Sequence, residues 1–371
     1  MKCLVLVGGG HAHLSVLRSL ARKKLSKLEV ILISPNSYQN YSGMLPGWMA
    51  GHYSKLQIQI NLQSLAQKAN IRLIVNRVTG INADKCLVYL PDNNQIKYDL
   101  LSVDIGCETD LSKLGVLQDR LLPIRPLDSF IKAWPQILSI KQNKSDYRLV
   151  VVGGGAAGVE LALAARYSFE YSNNKYDNGH VDLVASESGL LTEFSPKIQR
   201  NIKNILFEAG ITVHYLKATG TEEGLMLSNG KLLTADCIIA ATGSRAPRWL
   251  QESKLMLDKN GYIIADGCHR SPSHPNVFAT GDISSRQDSV ISRSGVHAVH
   301  AGPILFSNLL ATLNGKQLIT YRPRKYSLYI LACGSRYAIA SWGKWSIQGK
   351  LVWYLKDWID QYFVKKFTDS I

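Results

Sequence analysis

The chain has 371 residues, 46% of them hydrophobic and 19% charged, enough for two or three domains with their own cores and unlike a disordered chain. Its 43 Lys and Arg against 28 Asp and Glu leave a formal charge of +15, which suits phosphate-bearing ligands or an anionic surface without naming one. Cys3, Cys86, Cys107, Cys237, Cys268 and Cys333 are scattered with no C-x-x-C, which excludes a disulfide framework and a zinc site and points to a reducing cytoplasm.

Residues 2–7 read as a short apolar strand that runs into Gly8, Gly9 and Gly10. A helical pattern follows with Leu14, Leu17 and Ala21 on one face, then a second strand at 28–33, which makes a β-α-β unit. The apolar run Leu4–Val7 is too short for a signal peptide. No window of about 18 apolar residues is expected anywhere, so no bilayer span is predicted. Strand-like pieces follow at 71–75, 86–90 and 98–105. The opening device then recurs 145 residues on: a strand at 148–152, Gly153, Gly154 and Gly155, a helix from about 156 to 167, and a strand at 181–185. Further strands are expected at 211–215, 225–227, 236–241 and 276–283, the last ending in Gly281-Asp282. A helix at about 294–314, a few strands and an amphipathic helix near 350–367 complete the chain.

A parallel strand ending in glycines lets the backbone approach a diphosphate, and the next helix offers it free N–H groups. Gly153, Gly155 and Gly158 give a full G-x-G-x-x-G. In the first copy Gly8 and Gly10 match, but His13 takes the third place; a wider gap or an outward side chain is predicted there. The ribose-binding acid expected after the second strand is missing from both copies. Ser34 stands there in the first and Ala185 or Ser186 in the second, with Glu187 slightly further on and able to reach a ribose. No Arg or Lys replaces the acid, which favours NADH over NADPH.

With these units the sequence resembles the pyridine nucleotide-disulfide oxidoreductase superfamily. The resemblance rests on Gly8–Leu14, on Tyr41-Ser42-Gly43-Met44-Leu45-Pro46-Gly47, on Asp104-Ile105-Gly106 where the family has Ala-Thr-Gly, on Ala241-Thr242-Gly243, and on Asn276–Asp282. Within it the chain looks similar to type II NADH:quinone oxidoreductases and to the FAD-dependent proteins found alone or fused to selenide, water dikinase. The resemblance implies an α/β fold of two nested Rossmann-like FAD/NAD(P)-binding domains with a small C-terminal α+β cap. The FAD domain would span 1–120 and 255–315, the NAD(P) domain 121–254 and the cap 316–371.

It also implies roles. Gly8 and Gly10, with His11 and Ala12, would meet the FAD diphosphate. Ser34 and Val78 would lie toward the adenosine end. Residues 43–46, with Met44 and Leu45, would pass beside the isoalloxazine, and Tyr41 and Gly106 would also line the cofactor site. Gly281 and Asp282 would hold the ribityl chain. A helix starting near Ser294, with Gly295 and Val296, would aim its positive end at the flavin edge. Gly153, Gly155, Ala156 and Gly158, with Glu187 and Gly243, would hold the nicotinamide cofactor, and Glu160 would stand at its nicotinamide end. No metal site is expected.

The pattern departs in three places. No cysteine lies in Asn40–Met49, where disulfide reductases carry their redox pair, so dithiol exchange is not expected. Cys107 and Cys333 are the residues left to consider for sulfide:quinone chemistry. The two quinone-lining Gln positions of the type II enzymes hold Val296 and His300. His297, His300 and Glu160 are the candidate proton-handling groups. In the last helix Leu351, Tyr354, Leu355, Trp358, Ile359, Tyr362 and Phe363 form one stripe, with Lys356, Asp357, Asp360 and Gln361 opposite. Lysines beside an aromatic stripe suit a lipid interface, and packing of the stripe on the FAD domain or on a homodimer partner is the alternative. The expected activity is NADH oxidation through FAD, with electrons passed to a quinone or similar small acceptor. A flavoenzyme acting on sulfur or selenium species and a redox-sensing flavoprotein are the rivals. A cytoplasmic location is expected, with peripheral contact to the inner face of the plasma membrane, and no nucleic-acid partner.

Overall fold

The computed structural model describes residues 1–368 apart from 24, 26, 145, 172–178, 290, 292 and 294. Ser294, the expected helix start, and residues 369–371 therefore lie outside the described residues. The chain opens with β1 (Lys2–Val7), α1 (His11–Arg22), β2 (Leu28–Ser34), β3 (Arg72–Val75) and β4 (Leu100–Val103). Next come β5 (Leu121–Pro123), β6 (Arg148–Val152), α2 (Ala156–Tyr171), β7 (His180–Ala185), β8 (Thr212–Tyr215) and β9 (Cys237–Ala240). The chain returns through β10 (Val277–Ala279) and α3 (Gly295–Leu313). It ends in β11 (Leu328–Ala332), β12 (Ala338–Trp342), β13 (Trp345–Gly349) and α4 (Lys350–Thr368).

Two five-stranded sheets result, ordered β10-β4-β1-β2-β3 and β5-β9-β6-β7-β8. Every pairing in both is parallel. Parallel strands are covered on both faces, which is why Leu4–Val7 and Leu149–Val152 read as unbroken apolar runs. The second sheet's strands lie in sequence between β4 and β10, so the nested α/β architecture expected from the sequence is the one found. Register is repeated as well as order. Val7 pairs with Ile33 on one side and Val103 on the other. Val152 pairs in the same way with Val184 and Ala240.

Two expectations need correction. α3 is long and apolar enough to cross a membrane, against the reading that no such window exists. Its buried residues Ala298, Ala301, Gly302, Leu305 and Leu309 form one inward face, and about 33% of the apolar stretch is buried. A Cβ on Gly302 would stand 2.5 Å from Ser15 Cβ and 2.9 Å from the Ala12 carbonyl oxygen, so α1 and α3 cross with almost no side chain between them. The second correction concerns α4, whose buried side is Val352, Trp353, Asp360, Phe363, Val364 and Phe367. The face read as polar from the sequence turns inward, and Phe363 leaves the exposed stripe for the interior.

Candidate functional site

The predicted residues gather at the carboxyl ends of the two sheets, where open α/β folds bind ligands. Gly8 has φ +94°, and a Cβ there would stand 2.3 Å from the Asp104 carbonyl oxygen. Gly153 has φ +141°, and a Cβ there would stand 2.2 Å from the Ala241 carbonyl oxygen. Each glycine thus passes under the residue that follows the neighbouring strand, and only glycine fits. Gly155 faces open space, with nothing within 4 Å of a Cβ. A Cβ on Gly158 would stand 1.9 Å from the Gly153 carbonyl oxygen, so the third glycine permits the close helix–strand contact.

The first copy solves that contact differently. His13 is fully buried, its Nδ1 2.6 Å from the Gly8 carbonyl oxygen and its Nε2 2.8 Å from Ser102 Oγ. Burial pushes its pKa down to about 4, so the ring is neutral: Nδ1–H donates to Gly8 and Nε2 accepts from the Ser102 hydroxyl. The outward side chain offered as one way to accommodate His13 is not what is found. Asp104, whose place in the sequence carries no site signal beyond its departure from Ala-Thr-Gly, is also buried. Its Oδ2 accepts the N–H groups of Ala12 at 2.9 Å and His13 at 3.0 Å. Burial raises its pKa to about 6, opposed by these two hydrogen bonds and by His11.

Gly281 and Asp282 follow β10, and Asp282 forms an ion pair with Arg125 at 3.1 Å. Arg125 also lies 2.8 Å from Cys107 Sγ. A cavity of about 170 Å³ opens here, lined by Gly281, Asp282, His269, Arg286, His297 and Tyr321 among others. Both ring nitrogens of His269, Nη1 of Arg286, the hydroxyls of Thr280 and Tyr321, and Nε2 of His11 are buried without hydrogen-bond partners. Buried polar atoms seldom stay unpaired, so this region suits a polar ligand. His297 and His300 are half-buried and both pKa values are lowered by burial. His297 reaches the cavity; His300 is not among its lining residues. Ser34 and Val78 are buried, and Glu187 is exposed just past β7. Gly106, with φ +72°, and Gly243 face open space.

A third cluster joins both modules to the cap. Lys356 on α4 donates to the Gly43 carbonyl at 2.7 Å and pairs with Asp360. The Tyr41 hydroxyl donates to Asp360 at 3.2 Å, and its ring stacks on Phe363 with centroids 4.6 Å apart. Glu160, in the first turns of α2, accepts the Ala332 N–H at 2.7 Å. Burial pushes its pKa up to about 7, with Lys356 acting against the rise. Gly43 directly, and Tyr41 through Asp360, are therefore linked to Lys356, whose charge acts on Glu160. The sequence held one sign of this, the i, i+4 spacing of Lys356 and Asp360.

Two parallel sheets of one register, each ending in a glycine turn under a helix, give the chain two copies of a Rossmann-like unit. Residues 2–302 match the pyridine nucleotide-disulphide oxidoreductase family. The chain belongs to that family and is an NAD(P)H-dependent oxidoreductase. It is 23% identical over 292 residues to the NADH dehydrogenase-like protein YutJ of Bacillus subtilis, covering 77% of each chain. It is 24% identical over 345 residues to ferroptosis suppressor protein 1 of Xenopus tropicalis, covering 88% of this chain and 85% of that one. Its fold is similar to NDH2 from Plasmodium falciparum in complex with NADH, with a TM-score of 0.84 at 15% identity over 99% and 97% of the two chains. It is also similar to the sulfide:quinone oxidoreductase of Aquifex aeolicus, with a TM-score of 0.82 at 18% identity over 99% and 91%.

Proposed function

We propose that the chain oxidises NADH through FAD and delivers two electrons to a quinone or similar small acceptor. The first glycine turn and Gly281-Asp282 would hold FAD, and Gly153, Gly155 and Gly158 would hold NADH. The observation that carries this reading is the junction at Lys356. It joins the segment expected beside the isoalloxazine, through Gly43, to the surroundings of Glu160, expected at the nicotinamide end. FAD supplies the hydride and electron chemistry. The protein orients the two rings, and Glu160, with its pKa near 7, can hold a proton beside them. Burial pushes the thiols of Cys107 and Cys333 up to about 11 and about 12, so neither is a ready nucleophile for sulfur chemistry.

Anaerobic mixing with NADH, NADPH and sulfide tests the reading through the flavin absorbance. NADH is expected to bleach it within seconds, NADPH more slowly, and sulfide not at all. Bleaching by sulfide alone would move the function to sulfur oxidation. Slow bleaching by every donor would leave a sensing flavoprotein.

The acceptor side is proposed to face a membrane. Leu351, Tyr354, Leu355, Trp358 and Tyr362 are exposed on α4, Trp358 by 64%. Trp342, Trp345 and Ile347 of the β12–β13 hairpin are exposed as well, Trp345 by 82%. Exposed Lys344, Lys350 and Lys365 accompany them. Tryptophans and lysines together suit the headgroup region of an anionic bilayer. Trp358→Glu is expected to release the protein from anionic vesicles in co-sedimentation while NADH-driven bleaching continues. The exposure of Trp358 predicts an unchanged melting curve. Wild type that stays in the supernatant at low and high salt would refute membrane docking.

A further inference from the structure

We propose that Asp104 makes filling of the first dinucleotide seat proton-linked: the FAD diphosphate enters with the Asp104 carboxyl neutral and donating to a phosphate oxygen. This rests on the FAD reading above. The two glycine turns supply an internal control. Val103 and Ala240 occupy the same register beside Val7 and Val152, so the residues that follow them, Asp104 and Ala241, are equivalents. At the second turn the small Ala241 leaves the space off Gly155 empty. At the first, the space off Gly10 is filled: a Cβ there would stand 2.3 Å from Asp104 Cγ and Oδ1. The space off Gly281 is filled by the same side chain, at 2.6 Å from Oδ1. The carboxylate thus sits where the motif makes room for a diphosphate, and it takes helix N–H groups of Ala12 and His13 that serve anions.

An ionised Asp104 beside a diphosphate would put like charges in contact at a site that is 3% exposed. The groups that face it offset this only in part: the Ala12 and His13 N–H groups favour the ionised carboxyl, yet burial keeps its pKa raised to about 6. His11 and His13 on α1 have pKa values lowered by burial and are neutral near pH 7. Asp282 adds negative charge, and its partner Arg125 is engaged with it and with Cys107. From α3, Ala298 lies by Gly281 and carries no charge. With Asp104 titrating at about 6 in the protein alone, binding above that pH takes up one proton. The bound state then holds more protons than the free state, so affinity rises as pH falls.

The test titrates FAD into the full-length, deflavinated chain from about pH 5.5 to about pH 8.5, with calorimetry in two buffers of different ionisation enthalpy. The wild type is expected to weaken about tenfold per pH unit above about pH 6 and to take up close to one proton per FAD at about pH 8. Asp104→Ala, which copies the second turn, and Asp104→Asn are expected to lose both the slope and the proton. At about pH 8 they are expected to bind roughly tenfold to a hundredfold tighter. Should a variant fail to fold, the wild-type slope and proton count decide. A flat wild-type profile with no proton taken up, or an equal slope in the variants, overturns the role of Asp104 and leaves the FAD reading standing. Failure of every protein to bind FAD overturns both.

Discussion

Gly155→Val is expected to leave flavin in place and to cut NADH-driven flavin reduction by about a hundredfold or more. The three glycines of the second turn differ in what a side chain would meet. A Cβ at Gly153 or Gly158 would strike backbone at 2.2 Å or 1.9 Å, so substitution there breaks the fold and says nothing about ligands. Gly155 has no atom within 4 Å of its Cβ position, so valine costs the empty protein little. Its methyl groups would project into the space where a diphosphate must approach the backbone. Losing even two charge-assisted N–H contacts to phosphate, at roughly 1.5–3 kcal/mol each, exceeds the ~2.7 kcal/mol that corresponds to a hundredfold. Stopped-flow reduction at rising NADH concentration reads the effect, and unchanged melting separates it from misfolding. Reduction at the wild-type rate would mean that the second module serves another ligand.

The architecture was legible because its signals are local. An apolar run, glycines and a helical period within about 30 residues specify a β-α-β unit, and this chain writes it twice. The strand expected at 98–105 closes to Leu100–Val103, and the one at 276–283 to Val277–Ala279. In both, the chain turns into the site as soon as the ladder ends. Asp104 and His13 left traces in the sequence as departures from Ala-Thr-Gly and from the third glycine. Their meaning was hidden because it lies in contacts about 90 residues apart: His13 with Ser102, and Asp104 with the N–H groups of α1. The orientation of α4 was hidden for the same reason. Periodicity finds two faces and cannot tell which is buried when the inner one carries a lysine and an aspartate. The partner that turns Lys356 inward is Gly43, 313 residues away.

That inward pair gives the other large expected effect. Lys356→Met is expected to destabilise the protein by about 3–5 kcal/mol, the usual cost of breaking a buried ion pair by removing one partner. The Lys356 and Asp360 side chains are 12% and 6% exposed, so solvent screening does little to soften the loss. Methionine keeps the packing volume but leaves Asp360 with the Tyr41 hydroxyl and no cation, and it removes the positive charge near Glu160. Burial already raises the pKa of both carboxyls, and loss of the ammonium raises them further. Groups with raised folded pKa values contribute stability at low pH that is lost as pH rises through those values. The gap between variant and wild type should therefore widen above about pH 7 and narrow as the medium is acidified. Asp360→Asn added to Lys356→Met should recover much of the loss, since no uncompensated charge then remains at that position. Denaturant unfolding across pH reads all three proteins. A single variant within about 0.5 kcal/mol of wild type at every pH would show that α4 is held by its buried apolar residues, Trp353, Phe363 and Phe367 among them, and not by the ion pair.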